Sequence, residues 1–306
     1  MHLLIPFAAP GSEAGRQTLR SLELPNLAAL ATRLDAGARD DGDELSFSPP
    51  HERALARAIG LAGPDGGLPW AAHRMPADGR DPADLAWGLL TPCHWHLGSD
   101  QITLADPDDL KLDEASSRAL LHAVHDLFDS EGFVLVYGAA LRWYLAHESL
   151  AGRRSASLDR AIGRSVDRWM TPGDDARRLR RLQNEVQMRL FEHPLNVERE
   201  ALGLLPVNSV WLSGCGINQG TKVPPDLVVD DRLRRPALAE DWGAWRAAWQ
   251  DLDAGPVAAL AHMAEATLTL CGERSAMCHR VGPATAWRRL TARWRGADAP
   301  KLLESL

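Results

Sequence analysis

A thiol and two imidazoles lie within four residues in the segment Thr91-Pro-Cys93-His94-Trp95-His96. Thiolate and imidazole are donors that suit zinc and other transition metals. Because neighbouring residues of a strand point to opposite faces, Cys93 and His94 do not readily share one ion, whereas His94 and His96 share a face. No further ligand is identifiable from the sequence. We therefore predict no metal site and treat His94 and His96 as candidates to line a ligand cleft, with a structural turn as the alternative.

A second group of reactive side chains, Cys271-Gly-Glu-Arg274, follows the apolar run at residues 266–270. In open α/β sheets, ligands bind beyond the ends of the strands. Arg274 is therefore a candidate to bind an anion or to form an ion pair. A nucleophilic Cys271 would need a positioned base, and only His279 lies nearby in the sequence. A structural turn is the alternative for both Cys271 and Arg274.

Alternating strands and helices are expected to position these side chains. Apolar runs and helical spacing indicate both kinds of element along the whole chain, which favours a mixed α/β fold, a mixed sheet flanked by helices. Residues 63–80, rich in Gly, Pro and Asp, are expected to be an irregular connection. The predicted strands cover residues 3–9, 85–90, 101–105, 133–137, 141–147, 207–213 and 266–271. The predicted helices cover residues 19–34 (interrupted at Pro25), 50–59, 113–128, 174–192, 237–252, 256–264 and 285–294.

Three tryptophans, Trp242, Trp245 and Trp249, recur at helical spacing. Leu238 and Leu252 share their stripe, so one apolar face is expected on this helix. We predict that the face packs into a core. An exposed face that binds a protein partner is the alternative.

The composition restricts the classes of function. The 306 residues carry a formal net charge of −7, which argues against binding to nucleic acid or to an anionic membrane surface. No stretch approaches the roughly 20 apolar residues that span a bilayer, and the first residues do not resemble a secretion signal. Four scattered cysteines are then expected to be reduced thiols in a cytoplasmic protein.

A longer pattern occupies the middle of the chain. It includes His193-Pro-Leu-Asn196-Val-Glu-Arg199, Gly203-Leu-Leu-Pro206-Val-Asn208 and a strand with Trp211 that ends at Gly214-Cys-Gly216. This pattern resembles the archaeal-type cofactor-independent phosphoglycerate mutases of the alkaline phosphatase superfamily. The resemblance covers residues 85–216 and implies a lobe that binds substrate. Asn208 is a candidate binding residue on that basis.

Shorter segments spread over the chain resemble the bacterial RpfE-type regulatory proteins, a family for which the resemblance implies no defined reaction. The segments are Ser48-Pro-Pro-His51-Glu-Arg-Ala-Leu, Thr91-Pro-Cys-His94-Trp95, Ala156-Ser-Leu-Asp159-Arg160, Arg181-Leu-Gln-Asn-Glu-Val-Gln-Met188 and Leu268-Thr-Leu-Cys-Gly-Glu-Arg274.

The chain departs from the mutase pattern where metal ions would bind. The mutases end their first strand in an Asp-Gly metal ligand, whereas this chain has Pro6-Phe-Ala-Ala-Pro10 there and no aspartate before Asp35. Their late Asp-His pair is also missing, because neither His262 nor His279 follows an aspartate. The two-metal chemistry of that superfamily therefore lacks its ligands.

Two positions of the substrate lobe match the mutases. Arg142 corresponds to their strand arginine, although Trp143 replaces the histidine that follows it, and Asp159 lies in Ser157-Leu-Asp159 where they have Pro-His-Asp. An arginine fork suits a carboxylate or a phosphate, so the resemblance implies binding without catalysis. A structural ion pair is the alternative for Arg142.

These observations lead to one main prediction and one alternative. We predict a non-catalytic regulatory or ligand-binding protein of RpfE type, a pseudoenzyme without cofactor, that takes a small anionic ligand or a protein partner. The predicted organisation is an α/β core from residues 1–84 and 206–306 with an inserted lobe at residues 85–205. The alternative is a phosphoglycerate mutase or phosphoesterase with relocated ligands from Cys93, His94, His96, His122 or His125. The candidate ligand-binding residues are Arg142, Asp159, His94, His96, Arg274 and Asn208.

Overall fold

A computed structural model describes residues 1–170, 174–282 and 299–306, so the helix predicted at residues 285–294 lies outside the described residues. The chain divides into two units. The first comprises Met1–Leu45, Pro49–Gly60 and Lys222–Leu306, and the second comprises Ser46–Ser48 and Leu61–Thr221. The second unit thus includes residues 61–84 and 206–221, which the division made from the sequence assigns to the core portion.

Strands and helices alternate along both units. The strands are β1 (His2–Ala9), β2 (Leu34–Asp41), β3 (Ala86–Cys93), β4 (Trp95–Leu97), β5 (Ile102–Leu104), β6 (Val134–Ala139), β7 (Arg142–Ala146), β8 (Ser209–Ile217), β9 (Leu227–Val229), β10 (Ala266–Gly272) and β11 (Ser275–Val281). The helices are α1 (Glu13–Arg20), α2 (Pro25–Ala31), α3 (Pro50–Ile59), α4 (Trp70–Arg74), α5 (Glu114–Asp129), α6 (Leu158–Ala161), α7 (Val166–Trp169), α8 (Asp174–Phe191), α9 (Pro194–Ala201), α10 (Arg234–Leu238), α11 (Trp242–Leu252), α12 (Ala258–Ala261) and α13 (Ala299–Glu304). Within the described residues, no helix combines the length and apolarity needed to cross a membrane.

The described part of the first unit contains a mixed sheet with the strand order β2-β11-β10-β1-β9. Strand β1 runs parallel to both β9 and β10, whereas β10, β11 and β2 pair antiparallel in succession. Leu3 and Ile5 of β1 point to the same face and are fully buried in one core cluster with residues of α1, α2 and α11, and helix α3 also packs on β1 and β10. This mixed sheet flanked by helices confirms the predicted mixed α/β class.

The tryptophan stripe of α11 belongs to this core. Trp245 and Trp249 have no exposed surface, and Trp242 packs half-buried at the border of the same cluster. The three rings meet edge to face, with centroid distances of 6.1 and 6.3 Å between successive members. The core role predicted for the stripe is confirmed, and the alternative of an exposed partner-binding face is wrong.

The second unit is built on an antiparallel sheet whose described strands have the order β6-β7-β3-β8. Helices α5 and α8 pack against each other and against this sheet. The side chains of Leu120, Val124 and Phe128 lie on one face of α5 and are buried in the second core cluster. Strands β4 and β5 form a separate hairpin that follows β3 directly.

Several local predictions need correction. Residues 63–80 are not wholly irregular, since they contain α4 and a 3-10 helix at Met75–Asp78. Pro25 does not interrupt one helix but begins α2, where its missing N–H costs no hydrogen bond. Residues 253–257 form a π-helical turn that joins α11 to α12, whereas a helix starting at Pro256 was expected. Helix α3 begins at Pro50 and ends before Gly60 as predicted, and this glycine adopts the left-handed φ of 76° that stops the helix.

Candidate functional site

Arg142, the candidate anion ligand at the start of β7, is engaged by a carboxylate of its own unit. Its Nε lies 2.7 Å from Asp78 Oδ2 and its terminal nitrogen lies 2.6 Å from Asp78 Oδ1, which is the bidentate geometry of a strong ion pair. The Tyr144 hydroxyl also donates to Asp78 Oδ2. Asp159 is not part of this pair. Arg142 therefore has the contacts of a structural ion pair, and its binding role remains a prediction.

The Arg142 pair lies in a partly water-excluded corner. Side chains of Asp78 and Arg142 are 12% and 28% exposed, respectively. The Arg142 hydrogen bonds lower the pKa of the Asp78 carboxyl, with help from the Tyr144 hydroxyl and against the effect of burial. Burial, followed by the hydrogen bond to Asp78, raises the pKa of Tyr144. The corner is closely packed, because a Cβ on Gly138 would lie 2.5 Å from the Tyr144 ring and 2.9 Å from Asp78 Oδ2.

His94, His96 and Asn208 lie around the start of β4. His94 Nδ1 is 2.8 Å from the Pro206 carbonyl oxygen, and the rings of His94 and His96 approach to a centroid distance of 4.5 Å. The Asn208 side chain accepts from the Trp95 amide at 2.7 Å and donates to the Trp95 carbonyl at 3.0 Å. The structure thus brings these three candidates into one region. The Asn208 amide holds the loop at residues 206–208 against the β3–β4 corner.

Burial favours the neutral forms of His94 and Cys93 in this corner. Burial lowers the pKa of His94, and the neutral imidazole that results can donate Nδ1–H to the carbonyl of Pro206 and keep Nε2 as an acceptor. Burial raises the pKa of the Cys93 thiol. Across the described ranges, no three His, Cys, Asp or Glu side chains form a group that could hold a metal ion.

Asp159 and Arg274, the other two candidates, take part in none of these contacts. Asp159 is in the first turn of α6, where its amide donates at 3.3 Å to the hydroxyl of Ser157, the residue that caps the helix. Arg274 follows β10 in the first unit and forms a 3.3 Å ion pair with Glu44. Both side chains of that pair are mostly exposed, at 66% and 59%. The ion-paired alternative for Arg274 therefore describes its contacts.

Cys271 is not placed to act as a nucleophile with His279. In the register of β10 and β11, His279 lies opposite Leu268, three residues from Cys271, so the two side chains point to opposite faces of the sheet. Burial also raises the pKa of the Cys271 thiol, which disfavours the reactive thiolate. A dyad of these two residues is therefore excluded by the strand register.

The carboxyl end of β1 is the position where open α/β sheets bind ligands. Phe7 has a φ of 55°, a strained value for a bulky residue, and the pairing of β1 with β10 is irregular between Ile5 and Ala9. The indole N–H groups of Trp245 and Trp249 donate to the carbonyls of Phe7 and Ala8 at 3.0 and 3.1 Å. Two buried tryptophans thus occupy the carbonyl groups at this strand end.

Local sequence patterns do not identify the Asp78 contact or the tryptophan contacts to β1. Asp78 lies 64 residues before Arg142 and the tryptophans lie some 240 residues after β1, so only the folded chain brings each pair together. The one hint of the Asp78 contact is that a half-buried arginine such as Arg142 requires a partner.

No protein-family model matches this sequence, and no curated protein matches it. Among solved structures, a cofactor-independent phosphoglycerate mutase from Thermoplasma acidophilum DSM 1728 is 17% identical over 92% of this chain and 89% of its own, with a TM-score of 0.36. The PH0037 protein from Pyrococcus horikoshii is 14% identical over 92% of this chain and 87% of its own, with a TM-score of 0.38. These likenesses are distant, and they assign no activity, substrate or family to the chain.

Proposed function

We propose that the protein is a non-catalytic regulatory or ligand-binding protein of RpfE type. The observation that carries the proposal is the chemistry at the carboxyl end of β1. The residues there are Phe7, Ala8 and Ala9, and the carbonyls of Phe7 and Ala8 accept hydrogen bonds from buried tryptophans. A two-metal phosphoryl-transfer site needs oxygen or nitrogen donors that converge on its ions. Side chains of this strand end supply none.

The remaining reactive groups support the same proposal. The Cys93 and Cys271 thiols are fully buried and kept protonated, so they are poor ligands and poor nucleophiles. Arg142 already has a carboxylate partner in Asp78. The described residues form no converging set of metal ligands, which fits a protein that recognises a ligand or a partner and does not transform it.

Metal content and turnover together test this proposal. The full chain should be purified without chelator or affinity metal, from cells grown with added manganese and zinc, and analysed by plasma mass spectrometry. We expect no stoichiometric metal, no interconversion of 2- and 3-phosphoglycerate and no hydrolysis of p-nitrophenyl phosphate. An active mutase, carried through the same steps, controls for loss of metal. Two metal ions per chain together with turnover would refute the proposal.

The alternative is a phosphoglycerate mutase or phosphoesterase with relocated ligands. It is favoured by the 4.5 Å approach of the His94 and His96 rings. His122 and His125, the other imidazoles considered, are exposed on α5. The double substitution His94→Ala and His96→Ala separates the two functions. Any genuine metal-dependent turnover should be lost in this variant, whereas turnover that persists comes from a contaminant or from another site.

A further inference from the structure

A cleft with a cavity volume of about 60 Å³ opens in the second unit, and none of the six candidate residues is among the described residues that line it. Most of its lining is apolar or aromatic, with a few polar side chains among them, as is usual for small-molecule sites. Its lining includes the side chains of Trp169, Trp211, Arg153, Arg180, Ser155 and Gln183. No acidic residue is among the described residues that line it.

Among the described residues, no carboxylate balances the positive charge beside the cleft. Arg153 is half-buried and Arg180 is exposed, and neither guanidinium has a carboxylate partner within the described part of the chain. Most other arginines named so far are paired, as Arg142 is with Asp78 and Arg181 is with Glu131. Two guanidinium groups that have no carboxylate partner among the described residues, beside one apolar cleft, form a site suited to a carboxylate or a phosphate.

A buried donor in the cleft wall also lacks an acceptor. Trp169 is only 2% exposed, and its indole N–H has no hydrogen-bond partner among the described residues. In contrast, the Trp211 indole donates to the Ala156 carbonyl at 3.1 Å. A buried N–H without an acceptor costs free energy. An oxygen of a bound ligand would supply the hydrogen-bond acceptor that this N–H lacks.

The wall of the cleft is held in place by the fold. Arg180 and Gln183 lie three residues apart on α8, and therefore on neighbouring positions of one helix face. The Gln183 amide donates to the Val210 carbonyl at 2.7 Å and fastens α8 to β8. The Ser155 hydroxyl contacts the buried Cys215 thiol at 3.7 Å. The arginine on α8 is thus presented from an anchored helix, which reduces the ordering cost of binding.

We propose that this cleft binds a small organic anion, a carboxylate or phosphate carried on a flat apolar body. Arg153 and Arg180 bind the anionic group, the rings of Trp169 and Trp211 contact the flat body, and the Trp169 N–H donates to a ligand oxygen. The inference rests on the ligand-binding part of the proposed function and gives that ligand a site and a chemical class. Metal content and turnover test the proposed function, whereas ligand binding tests the cleft, so the two can fail separately.

Isothermal titration of the full chain with phenyl phosphate and with benzoate tests the cleft and distinguishes the two anionic groups. We expect at least one of the two to bind, and to bind more tightly than inorganic phosphate or phenol. Inorganic phosphate lacks the flat apolar body, and phenol lacks the anionic group. Arg153→Met and Arg180→Met should each weaken binding about tenfold, the effect of one charge-assisted hydrogen bond. Circular dichroism checks that both variants are folded.

Arg181→Met is the matched control, because Arg181 lies on the same helix but pairs with Glu131. It should leave the affinity unchanged. Nuclear magnetic resonance of the indole N–H groups gives a second readout, in which the Trp169 signal shifts downfield on binding. The proposal is overturned if neither probe binds at millimolar concentration, if inorganic phosphate binds as tightly as phenyl phosphate, or if all three arginine variants bind like the wild type.

Discussion

Replacing Asp78 by asparagine tests whether the Arg142 pair stabilises the second unit. The carboxylate accepts two hydrogen bonds from Arg142 and one from Tyr144, and a hydrogen bond to a charged group contributes about 1.5–3 kcal/mol. Asparagine keeps one oxygen acceptor but turns an amide towards the guanidinium donors. Because Arg142 is 28% exposed, water compensates part of the loss. We expect Asp78→Asn to lower the free energy of unfolding by about 2–3 kcal/mol.

Equilibrium unfolding in urea, followed by tryptophan fluorescence, measures this change. The midpoint should fall without a change in slope, since the surface exposed on unfolding is unaltered. Asp126→Asn is the matched control, because Asp126 likewise accepts two hydrogen bonds from one arginine. The two terminal nitrogens of Arg189 lie 3.1 and 3.2 Å from its carboxylate oxygens. That pair is exposed to solvent, so its loss should have little effect.

The pH dependence gives the same prediction an independent check. Arg142 holds the pKa of Asp78 below its ordinary value of 3.8, so the carboxylate binds fewer protons in the folded chain than in the unfolded one. Its stabilising effect is fully present above that ordinary value and is lost as the pH falls through the lower native pKa. The difference between wild type and Asp78→Asn should therefore shrink on acidification. Equal effects of the Asp78 and Asp126 substitutions, or a difference that grows in acid, would refute this account.

Three further outcomes follow from other contacts. Trp249→Phe removes the donor to the Ala8 carbonyl and part of a buried ring, and it should lower the free energy of unfolding by about 1–3 kcal/mol in urea titrations. Asn208→Ala removes both hydrogen bonds to the Trp95 backbone and should cost about 1–3 kcal/mol, measured in the same way, whereas Asn208→Asp should retain the acceptor half. In the native state, a thiol reagent such as dithionitrobenzoate should modify only Cys278, since the other three cysteines are buried, and all four should react in denaturant.

The elements that the sequence predicts well are those with their own apolar pattern. Strand β1 has a continuous apolar run, and α5 has an apolar stripe that becomes its buried face. Strand β2 has neither, since its sequence Leu-Asp-Ala-Gly-Ala-Arg-Asp-Asp is almost wholly exposed. It is a strand because β11 pairs with it along the edge of the sheet. Local sequence does not encode that pairing, and charged edge strands are common because they resist further pairing.

For the candidate residues too, the sequence predicts only those contacts that local geometry determines. His94 and His96 are two residues apart, and their proximity could be predicted from strand geometry alone. The contacts that decide what Arg142 does depend on Asp78, a residue in a segment that was expected to be irregular. Likewise, the cleft beside Trp169 and Arg180 forms only when α8 packs on the sheet. Pairings over such sequence separations depend on tertiary structure.

Because of its position in the first sheet, β1 remains unpaired during much of the synthesis of the chain. Its neighbours are β9 and β10, which begin at Leu227 and Ala266, so about 225 residues must be translated before β1 meets even the first of them. At usual elongation rates this takes roughly 10–50 s. The continuous segment Leu61–Thr221 emerges in the meantime. An apolar strand that remains unpaired for this long is open to aggregation unless another molecule, such as a chaperone at the ribosome, covers it.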